Sequence, residues 1–109
     1  LDFTKKGAKE IKEMHQKTTV ILEKAMEMFV TLDEKNLPDI LELENDIDHM
    51  ERQLHQNHVR RMAKGKCSPM SGIIFTDIVT GLERVADHAT NIAFSILDKD
   101  PEERAAAHN

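Results

Sequence analysis

The sequence contains few of the residues that build β-structure and turns. Its 109 residues include no Trp and no Tyr, and only four Phe, four Gly and three Pro. A β-sandwich or barrel needs β-branched and aromatic runs separated by turns about every 8–12 residues. Leu, Ile, Met, Ala, Glu and Lys fill the chain instead, and these residues favour helices. The composition therefore predicts an all-α protein.

Cysteine, positive charge and long apolar runs are also scarce. The single cysteine, Cys67, has no second cysteine for an internal disulfide, which favours a reducing compartment. The 15 Lys and Arg against 20 Asp and Glu give a net charge of −5, which disfavours nucleic-acid binding. No apolar run approaches the roughly 20 residues that span a bilayer. Because the chain begins with Leu1 rather than Met, we expect it to be a piece of a longer protein.

Three stretches carry apolar residues at alternating steps of three and four, the spacing of one buried helix face. They comprise Ile11, Met14, Thr18, Ile21, Ala25, Met28 and Leu32; then Ile40, Leu43, Ile47, Met50 and Leu54; then Phe75, Ile78, Leu82, Val85, Ala89, Ile92 and Ile96. We predict helices over about 4–34, 38–64 and 69–98, each packed on the others through its apolar residues.

Capping signals occupy the two breaks between these stretches. Asn36 suits the left-handed position after a helix, and Pro38 suits the first turn of the next one. Gly65 is expected to end the second helix and Ser68 to cap the third. Since both loops are short, neighbouring helices should run antiparallel. The prediction is an elongated antiparallel three-helix bundle over residues 1–100, with 101–109 as a polar tail or the start of a truncated helix.

Acidic residues follow a stripe on the predicted second helix. The stripe lies beside the apolar face and comprises Glu44, Asp48, Glu51, His55 and His58. The two histidines could extend a metal site, but a histidine on an exposed helix face is usually solvated, and we expect this of both. The third helix carries a second acidic pair, Glu83 and Asp87, again four residues apart, which we expect on its exposed side.

The two acidic pairs are expected to meet across the hairpin. Folding the chain at 65–68 brings Glu44 to the height of Asp87 and Asp48 to that of Glu83, within about 3 Å along the axes. Four carboxylates at one level repel each other, and a bound cation removes that repulsion. Oxygen ligands suit Mg, Ca, Mn or Fe better than a closed structural zinc site. A solvated acidic face explains the same residues, and both interpretations stay open on this reasoning.

Two segments resemble the PhoU family of phosphate-uptake regulators. They are ENDID at residues 44–48 and LERVADHATNIA at residues 82–93. The family repeats a three-helix bundle in which paired E/D-x-x-x-D motifs bind multinuclear iron or other metal clusters. The resemblance thus assigns metal binding to Glu44, Asp48, Glu83 and Asp87, with Fe, Zn, Mg or Mn as the metal. The ERQLH, HVRR and GKCSP segments at 51–55, 58–61 and 65–69 are most similar to the cytosolic region of sodium-dependent phosphate cotransporters.

The resemblance implies a non-catalytic regulatory domain in phosphate homeostasis. It implies a cytoplasmic location, tethered to the inner face of the membrane through a parent transporter. The expected partners are the membrane region of the same chain or a separate phosphate transporter, together with a second copy or a tandem bundle, and not nucleic acid. The family usually carries two bundles in tandem, whereas this chain has one.

Two alternatives belong to other classes. All-α nucleotide pyrophosphohydrolases also bind Mg through clustered helical carboxylates, although their acid spacing differs from the pairs found here. A purely structural dimerising bundle, in which the acids only solvate the surface, is the other alternative. Phosphate release from nucleotides distinguishes the enzyme, and metal analysis distinguishes the structural bundle.

Overall fold

The computed structural model describes residues 4–97 and consists of three long helices. They are α1 (Lys5–Thr31), α2 (Leu37–Ala63) and α3 (Pro69–Ser95), with a short 3₁₀ turn at Glu34–Asn36 before α2. No strand occurs in this range, so the predicted all-α, three-helix architecture is confirmed. None of the helices within residues 4–97 is both long enough and apolar enough to cross a membrane. The predicted tail at 101–109 lies outside the described residues.

The ends of the helices follow the sequence signals at most positions. The Thr4 hydroxyl accepts a hydrogen bond from the Gly7 N–H at 2.9 Å and caps α1. The Ser68 hydroxyl accepts one from the Ser71 N–H at 3.1 Å and caps α3, as predicted. Gly65 adopts a left-handed φ of 69°, which ends α2 at the low steric cost available to glycine.

The loop between α1 and α2 differs from the prediction. Leu32, rather than Asn36, takes the left-handed conformation, with a φ of 58°, and its N–H donates to the Met28 carbonyl at 2.7 Å. The Asp33 carboxylate then accepts a hydrogen bond from the Lys35 N–H at 3.0 Å and begins the 3₁₀ turn. Because the chain has already turned, Asn36 is right-handed and buried, and the left-handed role predicted for it is wrong.

Contacts between the helices establish the antiparallel arrangement. Lys24 pairs with Asp39 at 3.5 Å, and Lys17 pairs with Asp46 at 3.6 Å. Since the partner on α2 moves forward along the chain as the residue on α1 moves back, the two helices are antiparallel. Between α2 and α3, the rings of His58 and Phe75 stack with centroids 4.5 Å apart, close to the connecting loop. The molecule extends 56 × 28 × 19 Å, which agrees with an elongated bundle.

The core lies along the line where all three helices meet, and α3 packs against both α1 and α2. Its buried apolar side chains are Met14, Ile21, Ala25, Met28, Ile40, Ile47, Leu54, Phe75, Val79, Ala86, Ala89, Ala93 and Ile96. On α3, Phe75, Ala89 and Ile96 are buried as predicted, whereas Val79, Ala86 and Ala93 are buried in place of the predicted Ile78, Val85 and Ile92. Val85 is 40% exposed. The prediction failed there because α3 is apolar on two adjacent faces, and its alanines allow close approach of the neighbouring helices.

Candidate metal centre

Helix α2 directs three carboxylates toward the border between the core and the solvent. Glu44, Asp48 and Glu51 follow each other at steps of four and three, which places them on one side of the helix. All three are half-buried, because the stripe runs beside the fully buried Ile47. The helix therefore holds these acids where burial begins to weigh against their charge.

Helix α3 contributes Glu83 and Asp87, one turn apart. Since the buried face of α3 runs through Val79 and Ala86, Glu83 lies at the edge of the core and is half-buried, while Asp87 is exposed. The expectation that both residues lie on the exposed side is therefore correct for Asp87 and wrong for Glu83.

The acids of the two helices lie close together. The Glu83 side chain is within hydrogen-bonding reach of Asp48 and feels the charges of Glu51 and Asp87. Glu44 in turn feels the charges of Asp48 and Asp87. The two pairs that the sequence places at equal height therefore interact electrostatically. These five residues, Glu44, Asp48, Glu51, Glu83 and Asp87, are called the carboxylate cluster below.

Electrostatic repulsion within the cluster acts on Glu83. Partial burial raises the pKa of Glu83, and the negative charges of Glu51, Asp48 and Asp87 raise it further. The hydrogen bond to Asp48 acts in the same direction, because two carboxyl groups can share one only when one of them holds a proton. Glu83 is therefore a site where negative charge is disfavoured.

Glu44 is perturbed for similar reasons. Partial burial raises the pKa of Glu44, and the neighbouring Asp48 and Asp87 add to the effect. The Thr90 side chain acts in the opposite direction. Its only hydroxyl proton, however, is already donated to the Ala86 carbonyl at 3.0 Å, so its support for a Glu44 carboxylate is weak.

The donor set of the cluster has the chemistry of a hard-cation site. All its ligating atoms are carboxylate oxygens, which suit Mg, Mn and Fe. The ion pairs found within residues 4–97 include none of its members, so no basic side chain there neutralises it at contact distance. In the same part of the chain, no group of three or more His, Cys, Asp or Glu is placed so that it could hold a metal ion as the side chains stand. Metal binding by Glu44, Asp48, Glu83 and Asp87 therefore stays a prediction.

Two residues of the predicted α2 stripe differ from the expectation. Glu51 was placed on the stripe but not among the four predicted metal ligands, and its charge acts on Glu83, so it belongs to the cluster. His58, which we expected in solvent, is only 4% exposed because its ring stacks on Phe75. Burial lowers the pKa of His58, and the nearby Arg61 charge lowers it further. A histidine in this environment supports the core of the bundle rather than the acidic face.

The fold and the cluster together define an elongated three-helix bundle with paired acidic motifs on two adjacent helices. A sequence model of the PhoU domain family matches residues 11–96, which cover all but the two ends of the bundle. The chain belongs to this family.

A curated relative gives a second comparison. The chain is 29% identical over 89 residues to the phosphate-specific transport system accessory protein PhoU homolog 1 of Thermotoga maritima. The matched region covers 82% of this chain but 38% of that protein, so the chain spans well under half of its relative's length. No solved structure matches the chain.

Proposed function

We propose that the chain is a non-catalytic regulatory domain in phosphate homeostasis that binds metal ions through its carboxylate cluster. The observation that carries the metal site is the convergence of five acids from α2 and α3 without a basic residue paired to any of them within residues 4–97. Such an arrangement is costly when every acid is charged and free of cations. A bound cation turns the same arrangement into a favourable one.

Four of the five acids would hold the metal. Glu44 and Asp48 would supply oxygens from α2, and Glu83 and Asp87 would supply them from α3. Glu51 would remain beside Glu83 and keep the local field negative. The metal would supply positive charge that joins the two helices, with Fe, Mn, Mg or Zn as candidates.

The role in phosphate uptake is proposed from membership of the PhoU family. The Thermotoga protein is named as an accessory protein of a phosphate-specific transport system, and the present chain shares its family. We infer that this chain likewise acts with a phosphate transporter on the cytoplasmic side of the membrane. More specifically, we infer that the chain is the cytosolic part of a sodium-dependent phosphate cotransporter.

Exposed apolar side chains near the end of α1 would suit a protein partner. Met26, Phe29 and Val30 are 48%, 56% and 77% exposed there, and their spacing of three and four residues places them on one side of the helix. A transporter, a second copy of the chain or a tandem bundle would bury them.

Metal analysis tests the site. The purified chain is loaded with Fe, Mn, Mg or Zn and desalted, and the metal bound per chain is measured by inductively coupled plasma mass spectrometry. The test variant is Glu44→Gln/Asp48→Asn/Glu83→Gln/Asp87→Asn, and we expect it to retain little or no metal. The matched control is Glu13→Gln/Glu23→Gln/Glu42→Gln/Asp77→Asn, which removes four exposed acids outside the cluster and should bind like the wild type.

The outcomes separate the alternatives. Negligible metal in the wild type, or equal metal in both variants, would contradict the site and favour a structural bundle. Phosphate release from nucleotides with Mg that disappears in the test variant would contradict the non-catalytic assignment. For the cotransporter, the coding sequence flanking this chain decides: a multi-span hydrophobic region in the same reading frame supports it, and a frame without one contradicts it.

A further inference from the structure

A cavity of about 320 Å³ lies where the start of α1 meets the end of α2. Its walls are formed by Thr4, Lys6, Asn57, Arg60, Arg61, Lys64 and Lys66. Five of these seven residues are cations and none is acidic, although the whole chain carries a net charge of −5. This cavity is called the basic pocket below, and its charge is opposite in sign to that of the carboxylate cluster.

Two of the lining residues are held in place by one buried acid. The Arg61 guanidinium lies 2.8 Å from a Glu10 carboxylate oxygen, and Asn57 donates a hydrogen bond to the other oxygen at 2.7 Å. The guanidinium carbon also lies 5.3 Å from the centre of the Phe75 ring. Glu10 neutralises one positive charge and fixes this wall of the pocket before any ligand arrives.

The other four cations of the lining take part in none of the ion pairs found among residues 4–97. They are Lys6, Arg60, Lys64 and Lys66. All four are exposed and line the same cavity. With Arg61 offset by Glu10, the lining residues that the structure describes carry an excess of four positive charges. Like charges that line one cavity repel each other, and an anion between them removes that repulsion.

Helix stability explains only part of this set. Arg60 and Lys64 lie at the end of α2, where the helix dipole favours cations. Lys6 lies in the first turn of α1, where the dipole disfavours them, and that turn contains no acid. Lys66 lies in the loop, three residues beyond the end of α2, where the dipole contributes less than within the last turn. A bound anion accounts for all of these positions together.

We propose that the basic pocket binds small anions carrying two or more phosphate groups. Two phosphate groups carry about three to four negative charges at neutral pH, which matches the excess positive charge of the walls. The cavity volume lies at the lower end of the roughly 300–1,000 Å³ typical of small-molecule sites, which suits pyrophosphate or the phosphate chain of a nucleotide. The proposal stands on the basic pocket alone and does not depend on metal binding at the carboxylate cluster.

Isothermal titration calorimetry with pyrophosphate and tripolyphosphate tests the proposal. EDTA in the buffer removes metal ions, so that a phosphate cannot bind through a metal on the carboxylate cluster. The test variant is Lys6→Gln/Arg60→Gln/Lys64→Gln, which keeps the Arg61–Glu10 pair. The matched control is Lys9→Gln/Lys12→Gln/Arg52→Gln, which removes three exposed cations outside the pocket. Circular dichroism of both variants verifies that they fold like the wild type.

We expect both anions to bind the wild type and the control. The test variant should bind roughly tenfold or more weakly, because each lost contact between accessible charges costs a factor of about two to five. Titration with anionic phospholipid vesicles distinguishes a lipid headgroup from a soluble ligand. Binding to vesicles but to neither soluble anion would overturn the proposal. Absence of binding by the wild type, or equal loss in the two variants, would overturn it as well.

Discussion

The ion pair between Glu10 and Arg61 allows a sharp test of what a buried pair of charges between α1 and α2 contributes to stability. The two side chains are 10% and 11% exposed, and the interacting atoms lie 2.8 Å apart. At an effective dielectric constant of about 20, unit charges at that distance attract by about 6 kcal/mol. Removing each ion from water costs several kcal/mol, which offsets most of this attraction. The pair as a whole therefore adds little stability, whereas either ion alone is a buried charge without compensation.

Replacing one partner should thus be far worse than replacing both. We expect Glu10→Leu and Arg61→Met each to lower the free energy of unfolding by about 3–5 kcal/mol. The double variant should recover to within about 2 kcal/mol of the wild type, since only the Asn57 hydrogen bond and the contact of Arg61 with Phe75 are then lost.

Urea denaturation followed by far-UV circular dichroism measures these free energies. The exposed pair of Lys17 and Asp46, 3.6 Å apart, supplies the control, and Asp46→Asn should change stability by less than about 1 kcal/mol. A thermal midpoint more than about 12 °C lower is expected for each single buried variant. The reasoning is refuted if the single variants stay within 1 kcal/mol of the wild type, or if the double variant loses the sum of both.

Two further predictions concern α3. A Cβ at Gly72 would lie 2.9 Å from the His58 ring, which stacking holds in place, whereas a Cβ at Gly81 meets nothing within 4 Å. Gly81→Ala should raise the free energy of unfolding by up to about 1 kcal/mol in the same urea assay. Because the Cβ of Gly72→Ala is crowded, the free energy of unfolding of this variant should be about 1–3 kcal/mol lower than that of Gly81→Ala. Equal values for the two variants would contradict this prediction. Because burial raises the pKa of Glu83 in the folded state, Glu83→Gln should be more stable than the wild type at pH 7. That advantage should shrink as the pH falls toward the ordinary value of 4.5 and the wild-type carboxyl protonates; an advantage that does not change with pH would contradict it.

The number, order and direction of the helices were predictable from the sequence because several independent signals coincide. Apolar spacing, Ser68 as a cap and Gly65 at the turn all indicate the same boundaries, and the structure uses each of them. The first loop was less predictable, since Asn36 and Leu32 compete for one left-handed residue. Asparagine has the better intrinsic preference, yet the hydrogen bond from Lys35 to Asp33 decided the loop locally.

The buried face of α3 shows a limit of periodicity. Ile78 and Val79 both continue a helical repeat, so spacing alone cannot say which of the two faces the core. The choice depends on how closely α1 and α2 approach, and small residues such as Ala86 and Ala93 permit that approach. Val85 was predicted to face the core because it is larger and more apolar than Ala86, yet it is 40% exposed. The same rotation moves Glu83 toward the core border.

The juxtaposition of acids was predictable, while the pair behind the basic pocket was not. Equal height across a hairpin follows from chain numbering and helical rise alone, and this placed Asp48 near Glu83. Glu10 and Arg61 belong to different helices separated by the whole first loop, and neither lies in a motif. Only the three-dimensional course of α1 shows that this acid lies against the end of α2.

The two charged regions of the bundle can act independently of each other. Asp48 and Arg61 lie on the same helix, thirteen residues apart, which corresponds to about 20 Å along the axis. The Debye length at physiological ionic strength is about 8 Å, so the field of the carboxylate cluster is largely screened at the basic pocket. A net charge of −5 therefore does not argue against an anion site on this chain. What matters is the local excess of cations, and α2 separates its acids from its bases far enough for one small domain to attract a metal at one place and a phosphate at another.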